Sequence, residues 1–287
     1  MGEDALGYVI EIDDLQASLQ KKLIVADDRL CFLSATHLID FEQQDQQVQL
    51  NLVQNNASQN ITCDWLIAAD SSQSFIRQQL KIPTTRRDYQ QTAIVSVIQL
   101  EKSAGNQAFE RFLKDGVLAL LPLTHNRCGA VWVSENKQAQ ALLALNDEDY
   151  RTALQQQFGQ QLGPFVKIGP RQHYPLHLVL ANKVLTGHIM IIGNAAHTLN
   201  PIGAQGLNLG LHDVACLLQF FKQELTKEGL EEKLLTRNQQ LAQLSDATAR
   251  LYAIDCCPIN IARRLSLFSL EHLSPLKKHF TRRMMGY

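Results

Sequence analysis

The sequence has no run of about 18 consecutive apolar residues, the length that a membrane-spanning helix needs. It has no CxxC pair, and its six cysteines follow no spacing typical of a metal site. The formal net charge of −1 favours no nucleic-acid partner. No basic segment followed by an apolar one marks the N-terminus as a secretory signal. We therefore expect a cytoplasmic protein with reduced cysteines and no metal, and contact with a membrane surface stays open.

The composition is that of a packed globular protein, with 45% hydrophobic and 19% charged residues. Leucines at helical spacing predict a helix over Asp13–Lys22, and alternating apolar residues around a polar turn predict a hairpin over Val48–Cys63. The apolar run Trp65–Ala69 ends at Asp70, which is typical of a parallel strand that meets a ligand at its carboxyl end. A helical turn follows over Ser74–Leu80.

The middle of the chain has the pattern of an antiparallel sheet, with strand-like runs separated by polar loops. These runs are Thr92–Leu100, Val117–Leu123 and Arg127–Ser134. A helix is predicted over Asp147–Phe158, with Asn146 or Asp147 as its cap, and a further extended stretch over Arg171–Ala181.

From Gly187 the pattern of a buried parallel strand returns over Gly187–Ile192, and a helix is predicted over Gly206–Gln223. The order is therefore parallel piece, antiparallel insertion, parallel piece and helical tail. It predicts a mixed α/β fold in which an antiparallel domain interrupts a nucleotide-binding domain. The predicted parts are a nucleotide-binding part at 1–81, an antiparallel domain at 82–181, a second nucleotide-binding part at 182–229 and a C-terminal helical region at 230–287.

The segment Gly193–Asp213, GNAAHTLNPIGAQGLNLGLHD, carries the strongest functional signal. Its glycines permit positive φ and a close approach of a flat or anionic ligand to the backbone. The start of the following helix offers free N–H groups and a partial positive charge, which favour a nearby anion. His212 and Asp213 lie too deep in that helix to take part in this role. A plain strand–loop–helix crossover is the alternative, but it does not require this combination of residues.

This segment resembles the signature of the flavoprotein aromatic hydroxylases with the p-hydroxybenzoate hydroxylase fold, which reads GD-AAH, then P, then GxGxN, then D. Within them, the chain is most similar to the hydroxylases of ubiquinone biosynthesis. The resemblance extends over the chain through Gly7–Glu11, the strand before Asp70, Ala108–Phe112, Gly116–Pro122, Tyr174–Leu176 and Met285–Gly286.

The resemblance implies roles for individual residues. Asn194 stands where the family usually has an aspartate that binds the ribityl chain or ribose, and its amide can still bond a hydroxyl. Pro201 is expected near the flavin ring. Gly206, Leu207 and Asn208 are expected to present backbone and amide groups to its pyrimidine edge.

Asp70 matches the acidic residue of the family's DG turn, near the pyrophosphate and the NAD(P)H path, and Arg77 follows in the SxxR position. Ser71 replaces the glycine of that turn, which puts the tight turn geometry in question. The expected cofactor-binding residues are Asp70, Arg77, Gly193, Asn194, Pro201, Gly203, Gly206, Leu207 and Asn208.

His197 leaves two interpretations open. It is either a base for the phenol or, as we favour, a loop histidine that packs beside the flavin and bonds the backbone. The sequence does not otherwise identify a catalytic base.

The resemblance implies an FAD-dependent monooxygenase that hydroxylates a polyprenyl phenol in ubiquinone biosynthesis, with NAD(P)H as reductant and a flavin hydroperoxide as oxidant. The antiparallel domain would cover the substrate and let its tail extend toward the inner membrane face, where the protein would be peripheral. Hydroxylation of a soluble aromatic compound is a second enzymatic interpretation.

Proteins of this kind open with a strand–GxGxxG–helix unit that holds the pyrophosphate, and no GxGxxG occurs in these 287 residues. By resemblance, the chain begins after that unit. It is then either a fragment or a short natural protein, and unpaired sheet edges would favour homo-oligomers. The alternative from another class is a non-catalytic subunit that binds polyprenyl lipid or other ubiquinone-synthesis proteins.

Overall fold

The structure is a computed structural model that describes residues 7–26, 29–113, 116–201 and 204–253, together with 272 and 275. Over these residues it has thirteen strands and six helices, which confirms the mixed α/β class. The strands are β1 Thr36–Gln44, β2 Gln47–Gln54, β3 Ala57–Cys63, β4 Leu66–Ala68, β5 Thr84–Leu100, β6 Phe109–Leu113, β7 Gly116–Leu123, β8 Arg127–Glu135, β9 Phe165–Ile168, β10 Gln172–Ala181, β11 Leu185–Thr186, β12 Ile189–Ile191 and β13 His197–Thr198. The helices are α1 Ile12–Ala26, α2 Phe75–Gln79, α3 Asn136–Ala144, α4 Asp147–Phe158, α5 Gly206–Phe221 and α6 Lys227–Ala253.

The chain forms two compact units. Unit 1 comprises the described parts of 1–26, 91–175 and 250–287, and unit 2 comprises those of 27–90 and 176–249. The chain passes from one unit to the other after α1, within β5, within β10 and within α6. The assignment of functional domains to 1–81, 82–181, 182–229 and 230–287 stays a prediction.

Unit 1 contains the predicted antiparallel sheet. Strand β5 pairs with β8, β8 with β7 and β7 with β6, all antiparallel, and β9 pairs with the end of β5. Alternate residues of β5 point inward, so that Ile94, Ile98 and Leu100 are buried against Trp132 of β8. Strands β6 and β9 and helix α3 were not predicted as separate elements, because their patterns are short and only partly apolar.

Helix α4 covers this sheet and follows the predicted spacing. Tyr150, Leu154 and Phe158 are buried at intervals of four residues. The helix begins where the Asn146 side chain accepts a hydrogen bond from the Asp149 amide at 2.9 Å, which confirms Asn146 as the cap. It ends at Gly159, whose φ of 89° favours glycine.

Unit 2 contains the parallel pair that the sequence predicted. Strand β4 runs parallel to β12, with Leu66 opposite Ile189 and Ala68 opposite Ile191, and β11 pairs antiparallel with β12. The predicted hairpin forms β2 and β3, and β1 adds a third antiparallel strand that the sequence did not reveal. The core of unit 2 is packed by the apolar residues of β4, β12, α2, α5 and α6.

The predicted helix over Asp13–Lys22 is confirmed as α1. The predicted helical tail is confirmed over α6, and the rest of it, with the resemblance at Met285–Gly286, lies outside the described residues. Within the part that the structure describes, no helix is both long and apolar enough to span a bilayer.

Candidate functional site

The site is built around the turn that follows β12, at the carboxyl end of the parallel pair. Gly193–Ala195 forms a short 3-10 turn, and β13 follows at once. Gly193 has a φ of 57°, a left-handed conformation that a residue with a Cβ adopts at a cost. Asn194 is exposed at the middle of the turn, whereas Ala195 and Ala196 are buried. The turn thus projects Asn194 outward from a buried base.

Asp213 of α5 holds the start of this turn. Its Oδ2 accepts a hydrogen bond from the Gly193 amide at 2.9 Å and lies 2.6 Å from Nε2 of His197. Asp213 is buried, and its Oδ1 has no hydrogen-bond partner among the described residues. The position of Asp213 inside α5 predicted no role for it at the helix start, and this contact with the turn was not predicted. The available signal was an aspartate at the buried spacing of α5, between Leu209 and Cys216.

His197 is buried with only 1% of its surface exposed, and one of its ring nitrogens is engaged by Asp213. This geometry supports the interpretation of a packing histidine, although its hydrogen bond goes to a carboxylate and not to the backbone. The choice between packing and catalysis stays a prediction.

Arg77 of α2 holds the other end of the turn. Its Nη1 donates to the Ala195 carbonyl at 2.5 Å, and its Nη2 donates to the Ser72 carbonyl at 2.7 Å. Burial lowers the pKa of Arg77, as does nearby Arg86, while Asp70 opposes this shift. In this structure the guanidinium is directed into the protein. Its predicted contact with the cofactor stays a prediction.

Asp70 and Ser71 form the turn after β4. Asp70 is exposed, and its Oδ2 accepts a hydrogen bond from the Ile76 amide at 3.3 Å. Ser71 has a φ of 88°, a left-handed conformation that favours glycine, the residue that the resemblance implies at this position. Ser74 then caps α2 by accepting from the Arg77 amide at 3.0 Å. The tight turn is therefore present despite the substitution.

Helix α5 begins at Gly206, as predicted, and Gly206, Leu207 and Asn208 are all exposed. The first amides of a helix have no partner within it, so they can donate to an anionic or carbonyl-bearing ligand. Among the described residues, a Cβ at Gly206 would meet no atom within 4 Å apart from its chain neighbours and the backbone of its own helix, which leaves open space at the helix start. These residues fit the edge of a flavin ring. Pro201 is exposed before the helix, and Gly203 lies outside the described residues.

Parallel pairing brings two of the predicted groups to one edge. The Ile192 amide donates to the Ala68 carbonyl at 2.9 Å, so the turn with Asp70 and the turn with Asn194 follow adjacent strand ends. Helix α5 approaches the second turn closely, since a Cβ on Gly210 would lie 3.8 Å from the Cα of Gly193.

The profile of an FAD binding domain matches residues 16–251. This chain belongs to that FAD-binding family. The match covers most of both units and confirms the predicted resemblance.

Proteins with similar sequences include the ubiquinone hydroxylase UbiL of Rhodospirillum rubrum, 34% identical over 79% of this chain and 56% of its own length. The human ubiquinone biosynthesis monooxygenase COQ6 is 26% identical over 96% of this chain and 69% of its own length. The chain thus spans little more than half the length of the first of these relatives.

Solved structures confirm the predicted fold. The anhydrotetracycline hydroxylase OxyS of Streptomyces rimosus superposes with a TM-score of 0.70 at 18% identity, covering 97% of this chain and 56% of that one. The p-nitrophenol 4-monooxygenase PnpA of Pseudomonas putida gives a TM-score of 0.66 at 15% identity, covering 87% and 66%. At these identities the likeness concerns the fold alone.

Proposed function

We propose that this chain forms the flavin-facing part of an FAD-dependent monooxygenase that hydroxylates a polyprenyl phenol in ubiquinone biosynthesis. One observation carries the proposal. The N-terminus of α5 is exposed and begins at a glycine, and the nearby turn, which is anchored by buried residues, exposes Asn194. The names of the relatives in Rhodospirillum rubrum and human support the substrate class.

The chain's own residues divide the work of holding the cofactor. Asn194 would bond a hydroxyl of the ribityl chain or ribose, and its neutral amide adds no charge there. The amides of Gly206, Leu207 and Asn208 would donate to the pyrimidine edge of the ring, where the helix dipole favours negative charge. Asp70 would lie near the pyrophosphate and the path of NAD(P)H.

FAD, when bound, would supply the activation of dioxygen with electrons from NAD(P)H. One oxygen atom enters the phenol ring, the other leaves as water, and NAD(P)H with one proton supplies the two electrons and two hydrogens that balance this step. The protein would orient the phenol and keep water from the reacting atoms.

Flavin binding is the first test. The purified chain is titrated with FAD and with FMN, and binding is followed by quenching of flavin fluorescence and by the visible spectrum. Saturable binding of both is expected, because the proposed contacts are to the ring and the ribityl chain. A colourless protein that quenches neither flavin would overturn the proposal and favour a non-catalytic subunit.

Turnover is the second test. The flavin-loaded protein is incubated with a short-chain polyprenyl phenol, NAD(P)H and ¹⁸O₂. The mass of the product is then measured by mass spectrometry. One ¹⁸O atom per product molecule is expected. NAD(P)H oxidation without any labelled product would contradict the proposed substrate class while leaving flavin binding intact.

A further inference from the structure

Two buried side chains of opposite charge meet the turn Gly193–Ala195 at its two ends. Arg77 comes from α2 and Asp213 from α5, and each is only 1% exposed. Neither residue neighbours the turn in sequence: Arg77 is 118 residues from Ala195 and Asp213 is 20 residues from Gly193. Burying a charge is costly unless hydrogen bonds compensate for the lost water, and in both cases backbone groups of the turn take part in that compensation.

At the first end, the Asp213 carboxylate accepts from the Gly193 amide. A 3-10 turn leaves its first amides without partners inside the turn, and a carboxylate is a strong acceptor for such an amide. The same oxygen lies 2.6 Å from Nε2 of His197, on the strand that follows the turn. One oxygen atom of Asp213 therefore contacts both the first residue of the turn and the strand that follows the turn.

At the second end, the Arg77 guanidinium donates to the Ala195 carbonyl and to the Ser72 carbonyl. Ser72 belongs to the turn after β4, so one planar group ties two turns at neighbouring strand ends together. A lysine at this position would keep the charge, but its single ammonium group cannot reproduce the fixed fork of the guanidinium.

We propose that Arg77 and Asp213 are positioning residues, which clamp the turn Gly193–Ala195 from opposite ends so that Asn194 is presented in one orientation. The inference rests on the proposed function, in which Asn194 bonds a hydroxyl of the ribityl chain or ribose of FAD. Asn194 is the exposed residue of the three, and it is bracketed by the two clamped groups. A preorganised contact of this kind raises affinity because less freedom is lost on binding.

The clamp is tested without flavin by amide hydrogen exchange. In Asp213→Ala, exchange of the Gly193 amide is expected to quicken by at least about tenfold relative to the wild type, because the Asp213 carboxylate is its acceptor. Asp213→Asn keeps the shape and an acceptor oxygen, and a smaller increase is expected. Cys216→Ser is the matched control, since Cys216 is also buried on α5 but the polar contacts of its Sγ are to the His212 ring.

The consequence for the cofactor is tested by a double-mutant cycle on FAD affinity, in which Arg77→Lys and Asp213→Asn are each combined with Asn194→Ala. Each clamp variant alone is expected to weaken FAD binding by about five- to tenfold relative to the wild type. In the Asn194→Ala background, the same substitution is expected to weaken FAD binding by less than about twofold. A general loss of stability would weaken binding equally in both backgrounds. Cys216→Ser is expected to show no such dependence on Asn194.

The outcomes separate this inference from the proposed function. An unchanged Gly193 exchange rate in both Asp213 variants would overturn the clamp, whether or not the chain binds flavin. Should Asp213→Ala fail to fold, Asp213→Asn carries the same measurement. Equal effects with and without Asn194 would show that the two residues do not act through it. A wild-type chain that binds no FAD would overturn the proposed function and this role of Asn194, and the exchange rates would still decide whether the clamp exists.

Discussion

At the scale of single residues, the site contains positive φ angles, and not all of them occur at glycine. Gly193 has positive φ without strain, but Ser71 and Ala204 have φ values of 88° and 51° with a Cβ present. Gly193 is itself a predicted cofactor residue, and Ser71 and Ala204 lie in the turn and loop next to others. Strain of this kind persists where the surrounding structure fixes the backbone.

Ser71→Gly is therefore expected to stabilise the protein. Glycine removes the Cβ clash at positive φ, and after its larger loss of entropy on folding a net gain of roughly 0.5–1 kcal/mol in the free energy of unfolding remains. Urea denaturation measures it. Ser72→Gly is the control, because Ser72 has no positive φ and glycine there should destabilise the fold. A destabilised Ser71→Gly would show that the serine side chain contributes more than its conformation costs.

At the scale of elements, the helices differ in how their first amides are satisfied. Helix α4 is capped by the Asn146 side chain, whereas α3 begins after Glu135 without a side-chain cap bond. Helix α5 begins at an exposed glycine in the proposed flavin site. Capped starts contribute to stability, and starts with exposed amides are available to ligands.

Asn146→Ala is expected to lower the free energy of unfolding by about 1 kcal/mol, because the Asp149 amide loses its acceptor. Glu135→Ala, at the uncapped helix of the same unit, should change it by less than about 0.5 kcal/mol. Both are measured by chemical denaturation. Equal losses in the two variants would argue against a capping role for Asn146.

Leu207→Glu tests the start of α5, where Leu207 is 55% exposed. A carboxylate in the first turn should stabilise the helix by about 0.3–1 kcal/mol through its dipole. It should also weaken FAD binding by about tenfold, because it repels the anionic edge of the ring and competes for the same amides.

The matched control is Leu218→Glu, on the last turn of α5 with 56% exposure. It should leave FAD affinity within about twofold and slightly destabilise the helix, because the dipole has the opposite sign there. Calorimetry of both variants gives stability and affinity together. Equal FAD affinities in the two variants would place the flavin away from the start of α5.

At the scale of the whole molecule, each unit has a core of its own, and the core of unit 1 contains a buried ionisable group. Tyr150 is fully buried beside Trp132, with the Arg171 guanidinium 4.9 Å above its ring. Burial raises the pKa of Tyr150 to about 12 from 10, although the positive charge of Arg171 opposes the shift. The folded protein therefore holds this proton more tightly than the unfolded chain does.

This shift predicts a loss of stability at high pH. The contribution of Tyr150 is fully present below pH 10, and it is lost as the pH rises from about 10 to about 12, because only the unfolded chain releases the proton readily. The loss is ~1.4 kcal/mol per pH unit in that window. Urea denaturation at pH 9, 10 and 11 measures it against Tyr150→Phe, which cannot titrate. Parallel curves for the two proteins would contradict the raised pKa.

Much of the fold was determined by local sequence patterns. The four-residue spacing in α4 with its asparagine cap, the alternation in β2 and the apolar runs of β4 and β12 each specify an element by themselves. Strand β1 was not predicted, because its sequence THLIDFEQQ is polar at most positions and its residues lie mostly at the surface. Helix α3 escaped because it buries only Ala139 and Leu142.

The sequence by itself also determined the family and the segment that we propose to face the flavin, since glycines, a helix start and Asn194 are adjacent along the chain. Tertiary structure alone decided how that motif is held. The hydrogen bond from Arg77 to the Ala195 carbonyl joins residues 118 positions apart. Asp213, in the interior of the α5 sequence, accepts a hydrogen bond from the Gly193 amide. A buried charge needs hydrogen-bond partners, and here backbone groups provide them. Which backbone groups these are depends on how the helices pack, and no local pattern in either segment specifies them.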